Sequence, residues 1–448
     1  MKRVLPKITA AILMATAVTA CSGQKDTSNV SGSVEVLAPM NNAKSGYSLQ
    51  FIELSGLDSL REVSGRFVRF FISPRIISDR LNGSAPQGRF IKNTDNKYIP
   101  ANDMTQQMVT IYAHMQNLAQ LDEDLGAAGV NHWPRDIGVG VRVAGGMKNN
   151  AFYDGKIDAM LFVPYDKADL PIAVNGGILA HEHFHSLFYK LVIKSAASGS
   201  TLSDVGTGSI HDRQSFLNAM GVVDSSLDAD GEMRTRVEIG DVPTARPAAL
   251  SERRVKNYYA TAFMRGLNEG LADFWGWMYT GDPDFIATSL PSEKVNRTLK
   301  YSAETNGALA LIPMGQLRSA ASLYNQYAKA DFDKYMLGMA YNIGTRYARV
   351  MKKLTEVSAE ARSVDALAMR KEVAKWIIKS LPTFKDDFAK SSADGFYAPS
   401  QYIENLAKAI PDMNKAECEY LVGVINNTDS SKRACSEDGN TFKMVEAE

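Results

Sequence analysis

The sequence predicts an α+β chain, with strands gathered at the front, helices at the back, and a buried helix near residues 176–190 joining them. Three observations carry that expectation. Before residue 100, short runs rich in Val, Ile and Phe alternate with Gly, Pro, Asn and Ser. From residue 255 onward, apolar side chains recur at three- and four-residue spacing with few breakers. Between these parts, GGILAHEHFHSLFYK wraps an apolar helical stripe around a set of histidines. With 448 residues the chain can bury a large core and divide into subdomains.

Residues 1–20 read as a secretory signal: Lys2, Arg3 and Lys7 precede an apolar run from Ile8 to Val18 that is short for a membrane span. The run ends in VTAC, which resembles the lipobox of bacterial lipoproteins, so cleavage would leave Cys21 as a lipid-modified N-terminus on the membrane. An ordinary signal peptide or a single N-terminal anchor is the alternative. Residues 21–45 are read as a polar tether, and Ser22 in place of Asp would favour the outer membrane of a Gram-negative envelope. The chain has three cysteines, so with Cys21 lipidated an even pair is left in an oxidising compartment. A Cys418–Cys435 disulfide follows, with two reduced thiols as the alternative.

Residues 46–103 form the strand-rich region, containing YSLQFIEL, GRFVRFFIS and GRFIKN, with SVEVLAP just ahead of it. Residues 104–190 follow as an α/β subdomain. Met108, Ile111, Tyr112, Met115, Leu118 and Leu121 share one helical face, and Gly126 is the stop. Two strand-like segments, DIGVGVRVAGG and KNNAFYDGKIDAMLFVP, then lead into the histidine helix. An exposed edge strand at NAFYDG would take an extended peptide as an added strand, with the Asn150 side chain and the Ala151 backbone as binding groups. By itself the stretch also reads as a hairpin turn around Asp154-Gly155.

Residues 191–254 are rich in Ser, Gly, Asp and Ala with weak periodicity, as a lid or a surface loop would be. Residues 255–448 form a helical C-terminal part, with a strongly apolar helix near 255–279 and further helices near 304–328, 330–354, 358–380 and 400–424. Fifty basic and fifty acidic residues cancel, so nothing argues for a nucleic-acid partner.

The chemistry concentrates in HEHFH. His181 and His185 lie one helical turn apart on one face, the H-E-x-x-H arrangement that binds zinc. Glu182 sits about 100° round the helix, where it reaches a water beside the metal and acts as general base. His183 points to the far side and is packed or solvated. Glu269 and Asp273 are also one turn apart, and carboxylates in so apolar a helix are costly unless paired or bound to a cation.

NNAFYDG, HEHFH and NEGLAD occur in the order used by the gluzincins, the thermolysin-like metallopeptidases, and resemble their edge strand, zinc helix and N-E-x-x-x-D motif. The resemblance spans roughly residues 104–190 and 255–350. It implies that Glu269 is the third zinc ligand and that Asn268 and Asp273 hold the ligand histidines in orientation. Two departures stand out. The span from His185 to Asn268 is longer than in thermolysin, and no histidine follows His211 to stabilise the transition state. Other gluzincins use a tyrosine there. Tyr341, in GMAYNIGTRYARV, is the first candidate, followed by Tyr335, Tyr258 and Tyr259, and the alternative is that Tyr341 is a packed core ring. The implied activity is hydrolysis of peptides or proteins, with Zn2+ as cofactor. A zinc-containing peptide-binding lipoprotein without turnover and a structural envelope lipoprotein are the rival readings.

Overall fold

The computed structural model describes residues 30–42, 46–77, 80–142, 148–194, 252–300, 309, 329–394, 397–430, 432–439 and 441–444. Cys21, almost all of the 191–254 segment and the helix expected at 304–328 lie outside these residues. Among the described residues no helix is long and apolar enough to cross a membrane.

The described residues form a mixed α+β fold. Strands come first: β1 Gly32–Asn42, β2 Gly46–Ser59, β3 Ser64–Gly65, β4 Val68–Ile77, β5 Arg80–Ser84, β6 Phe90–Lys92 and β7 Tyr98–Pro100. β1 therefore falls within the stretch read as tether. SVEVLAP alternates, and Val36 and Ala38 bury one face of it completely. Helix α1, Asp103–Asp124, starts at Asn102, whose side chain accepts the Thr105 N–H, and its apolar face, including Met108, Ile111, Tyr112 and Met115, is buried. β8 Arg135–Val139, β9 Ala151–Asp154 and β10 Ala159–Phe162 complete the strands of this half. KNNAFYDGKIDAMLFVP is thus a hairpin of two strands that turns after Asp154, as one reading of NAFYDG expected, and the four residues of β9 are buried.

One sheet has the order β3-β2-β1-β7-β6 and the other β5-β4-β8-β10-β9, so β9 is an edge. In the second sheet β4, β8 and β10 run parallel and β9 pairs antiparallel with β10. β10 leads to α2, Gly176–Phe188, which continues into a wider turn over Tyr189–Ile193.

The C-terminal half holds α3 Glu252–Thr280, the short α4 Lys294–Arg297, α5 Lys329–Arg362, α6 Ala366–Asp394, α7 Gln401–Ala409 and α8 Lys415–Thr428. The helix expected at 400–424 is two helices. Pro411 lacks the N–H a continuous helix needs, and Asn414 opens α8 with a capping box to Glu417. The expected break near 355 falls later, at Ser363 in the left-handed region, with φ 53°. A small hairpin, β11 Arg433–Cys435 with β12 Phe442–Met444, was not expected, and it is tied to α8 by the Cys418–Cys435 disulfide.

α3 packs against both α2 and α5. A Cβ on Gly270 would lie 2.2 Å from the Gly344 carbonyl oxygen, so α3 and α5 meet backbone to backbone, possible only without side chains at both positions. Beside this contact Glu269 and Tyr341 line the same cleft.

Candidate metal centre

The histidine helix begins where Asn175 accepts the Gly177 and Ile178 N–H groups, while its amide donates to Phe285 O at 2.7 Å and Ser289 Oγ at 2.9 Å. All of α2 is buried, which an apolar helix carrying two imidazoles tolerates only if those rings have partners. They do. His185 Nδ1 lies 3.0 Å from Asn268 Oδ1, and His181 Nδ1 lies 3.0 Å from Asp273 Oδ1, off the line of its N–H.

With Nδ1 of each ring set against an oxygen acceptor, the neutral rings would leave each Nε2 as the bare nitrogen. The two Nε2 atoms face each other at 3.0 Å with the rings nearly perpendicular. Two lone pairs at that separation repel unless positive charge lies between them. Glu269 completes the group, its carboxylate oxygens 3.5 Å from His181 Nε2 and 3.9 Å from His185 Nε2. Glu269 Oε2 is buried and accepts no hydrogen bond. Donor atoms of these three residues lie within 4.8 Å of one another, and they are the one such cluster among the described residues. Two imidazole nitrogens plus one carboxylate fit a zinc ion with an open fourth position.

Charge agrees with this fit. Burial pulls the His181 imidazole down, but the carboxylates of Asp273 and Glu269 beside it outweigh that and carry it up to about 9. Burial, then the charge on His181, takes His185 down to about 4. Burial opposes ionisation of Glu269, yet the positive charge of His181, His185 and Arg297 around it holds it well below the usual carboxylate range. The pocket therefore calls for a cation, whether proton or metal.

Glu182 does not join the ligand group. Its Oε2 accepts the Tyr153 N–H of the edge strand at 2.9 Å, and burial, reinforced by the negative charge of Glu269, raises it to about 7. A carboxylate poised there suits proton transfer near neutral pH. These groups line a cleft with about 760 Å³ of open space, bordered also by Asn150, Ala151, Arg297 and Tyr341. The Asn150 side chain accepts the N–H of Ala151 at 2.9 Å.

Tyr341 does line the cleft. The charge of Glu269, then burial, pushes its hydroxyl well above the ordinary tyrosine range, so it stays a proton donor. Tyr259 is elsewhere, donating to Tyr397 O at 2.7 Å in the C-terminal core, and the side chains of Tyr258 and Tyr335 lie outside the described residues. Cys418 and Cys435 are structural and remote from the cleft.

Sequence reasoning missed Arg297. Its guanidinium binds Asp273 at 2.5 and 3.2 Å, lies 3.7 Å from Glu269 and lines the cleft. One signal was available: Glu182, Glu269 and Asp273 are three carboxylates in apolar helices, and that much buried negative charge demands a cation. His183 proves packed, fully buried, with Nε2 2.8 Å from Asp122 and its ring stacked on Trp133. No family model and no curated protein matches the chain.

Proposed function

We propose that the chain is a zinc-dependent peptidase that hydrolyses peptide bonds with Glu182 as general base. The observation that carries the reading is the convergence of the bare Nε2 atoms of His181 and His185 with Glu269 in a cleft that also holds Glu182 and an edge strand. A zinc ion held by those three residues supplies Lewis acidity, which lowers the pKa of a water and polarises the scissile carbonyl. Glu182 takes a proton from the attacking water and delivers it to the leaving nitrogen as the C–O bond forms and the C–N bond breaks. Tyr341 and Arg297 donate toward the carbonyl oxygen, where negative charge develops.

Substrate alignment rests on β9. The Tyr153 N–H turns to Glu182, while Asn150 O, on the opposite register, accepts Val163 N–H at 3.1 Å beside β10. Alternation along a strand then aims the Ala151 carbonyl into the cleft, where an extended peptide pairs with it. Phe152, Ile172, Ile178, Ile286 and Leu290 line the remaining wall, which favours an apolar side chain next to the cleaved bond. Lipid anchoring at Cys21 belongs to the same proposal and rests on VTAC, and mass spectrometry of the mature N-terminus tests it.

Two variants test the activity. Glu182→Gln is expected to keep one zinc per chain and lose at least about 10²-fold in turnover on unstructured protein substrate. Glu269→Ala is expected to lose zinc and activity together. A wild-type protein that binds zinc, cleaves nothing in a broad peptide library and is indistinguishable from Glu182→Gln overturns the reading in favour of a peptide-binding protein.

A further inference from the structure

Behind α2, on the face away from the metal ligands, His183, Ser186 and Lys190 recur at three- and four-residue spacing. Asn131 ties this face together: its Oδ1 accepts from Ser186 Oγ at 2.8 Å, Lys190 Nζ at 3.1 Å and Arg135 at 3.1 Å. The network ends at Asp158, in the turn between β9 and β10. One carboxylate there receives Lys190 Nζ at 2.8 Å, Arg135 at 3.1 Å and the Tyr153 hydroxyl at 2.9 Å. Those donors come from the end of the histidine helix, from β8 and from β9.

Asp158 is held at φ 51°, the left-handed region that a residue with a side chain enters at a cost. Glycine would relax the backbone but bring no carboxylate. Arg135 is 1% exposed and Lys190 nearly buried, so both cations depend on Asp158 for charge balance. The Tyr153 ring that Asp158 grips belongs to the residue whose N–H binds the Glu182 carboxylate.

We propose that Asp158 is a positioning residue, clamping β9 to the rear of α2 through Tyr153 and Lys190 and so fixing the Tyr153 N–H against Glu182. This rests on the peptidase reading. The substrate-aligning residues Asn150 and Ala151 lie at the other end of the strand, where Ala151 is already paired with Phe162 of β10. Loosening the clamp therefore misplaces the base more than the substrate, and small misplacements of a catalytic group are expensive in rate.

The test compares full-length wild type, Asp158→Asn and Tyr153→Phe, with Glu182→Gln as control. Asparagine tolerates the left-handed backbone, so Asp158→Asn removes charge alone, while Tyr153→Phe removes one hydroxyl and leaves both cations paired. Both are expected to bind zinc as wild type does, to lower kcat about tenfold with KM within about twofold, and to speed amide exchange across residues 151–154. A kcat equal to wild type in a folded, zinc-loaded Tyr153→Phe overturns the proposal while Glu182→Gln still reports on the peptidase reading. If the wild type cleaves nothing, that reading fails by itself and amide exchange decides the clamp: unchanged exchange in both variants overturns it, and faster exchange upholds Asp158 as the strand's anchor.

Discussion

The guanidinium carbon of Arg297 lies 4.4 Å from the centre of the Tyr341 ring, a cation stacked on an aromatic face. The stack joins α4 to α5 and holds the Tyr341 hydroxyl on the cleft wall. Neither residue is in the ligand set, so removing the hydroxyl alone leaves the metal centre whole. Tyr341→Phe is expected to keep its zinc and lose about 10²- to 10³-fold in kcat, the usual effect of deleting one donor to a developing oxyanion. Stopped assays beside elemental analysis check it, and unchanged kcat removes Tyr341 from the chemistry.

The candidate ligands His181 and His185 were legible because metal binding would impose a spacing: two donors on one helical face must be three or four residues apart. Glu269 and Asp273 stood out as carboxylates one turn apart in a second apolar helix, while the ligand role of Glu269 and the supporting roles of Asn268 and Asp273 came only from the resemblance to the gluzincin motif. Arg297 was not legible, since PSEKVNR has no periodicity and the arginine acquires its role only when α4 folds over α3. The Asp122 partner of His183 was hidden for the same reason, lying on another helix. In the fold, alternation and helical spacing located β4, α1 and α3, whereas β11 and β12 are three-residue strands too short to carry a pattern.

Asn268 accepts from His185 Nδ1 at 3.0 Å. Asn268→Ala should let that ring turn and weaken zinc binding by about 10- to 100-fold, the range for losing a partner behind a ligand histidine. Chelator competition measures it. Affinity equal to wild type would show that packing alone orients His185.

His114 gives the chain an acid-sensitive point away from the cleft. Carried by α1 and buried against Tyr279 of α3, to which its Nδ1 is bound at 2.8 Å, it is pushed by burial down to about 4. The folded state thus holds fewer protons there than the unfolded state, whose histidine titrates near the ordinary 6.5. Its contribution is complete above pH about 6.5 and disappears as pH falls toward about 4, a loss of about 3 kcal/mol. Urea unfolding across that range should show a slope that is smaller in His114→Gln. Equal slopes in the two proteins would exclude His114 as its source.

The contact of α3 with α5 leaves no room for a methyl group. Gly270→Ala is expected to cost about 1–3 kcal/mol and to lower kcat by displacing Tyr341. Gly423, with nothing within 4 Å of an added Cβ, is the control: Gly423→Ala in α8 should gain up to about 1 kcal/mol from helix propensity. Thermal unfolding of the two variants should move in opposite directions.

The Cys418–Cys435 bond closes a loop with a sequence separation of 17 residues, which constrains the unfolded chain by about 3 kcal/mol. Replacing both cysteines with alanine should lower the unfolding temperature without changing zinc content. A variant as stable as wild type would mean that the pairing of β11 with β12 and its packing on α8 hold the hairpin without the bond.

On the peptidase reading, the edge of β9 reads a partner by its main chain. Backbone carbonyls and amides are the same in every sequence, so such an edge distinguishes chains by their state of folding more than by their composition. Helices and interior strands have already committed these groups to internal ladders, and freeing several residues from a stable domain means opposing its global stability of about 5–15 kcal/mol. Termini, loops and unfolded chains carry no such debt. The cleft should therefore respond to disorder, and the same polypeptide should pass from resistant to susceptible at its own unfolding midpoint.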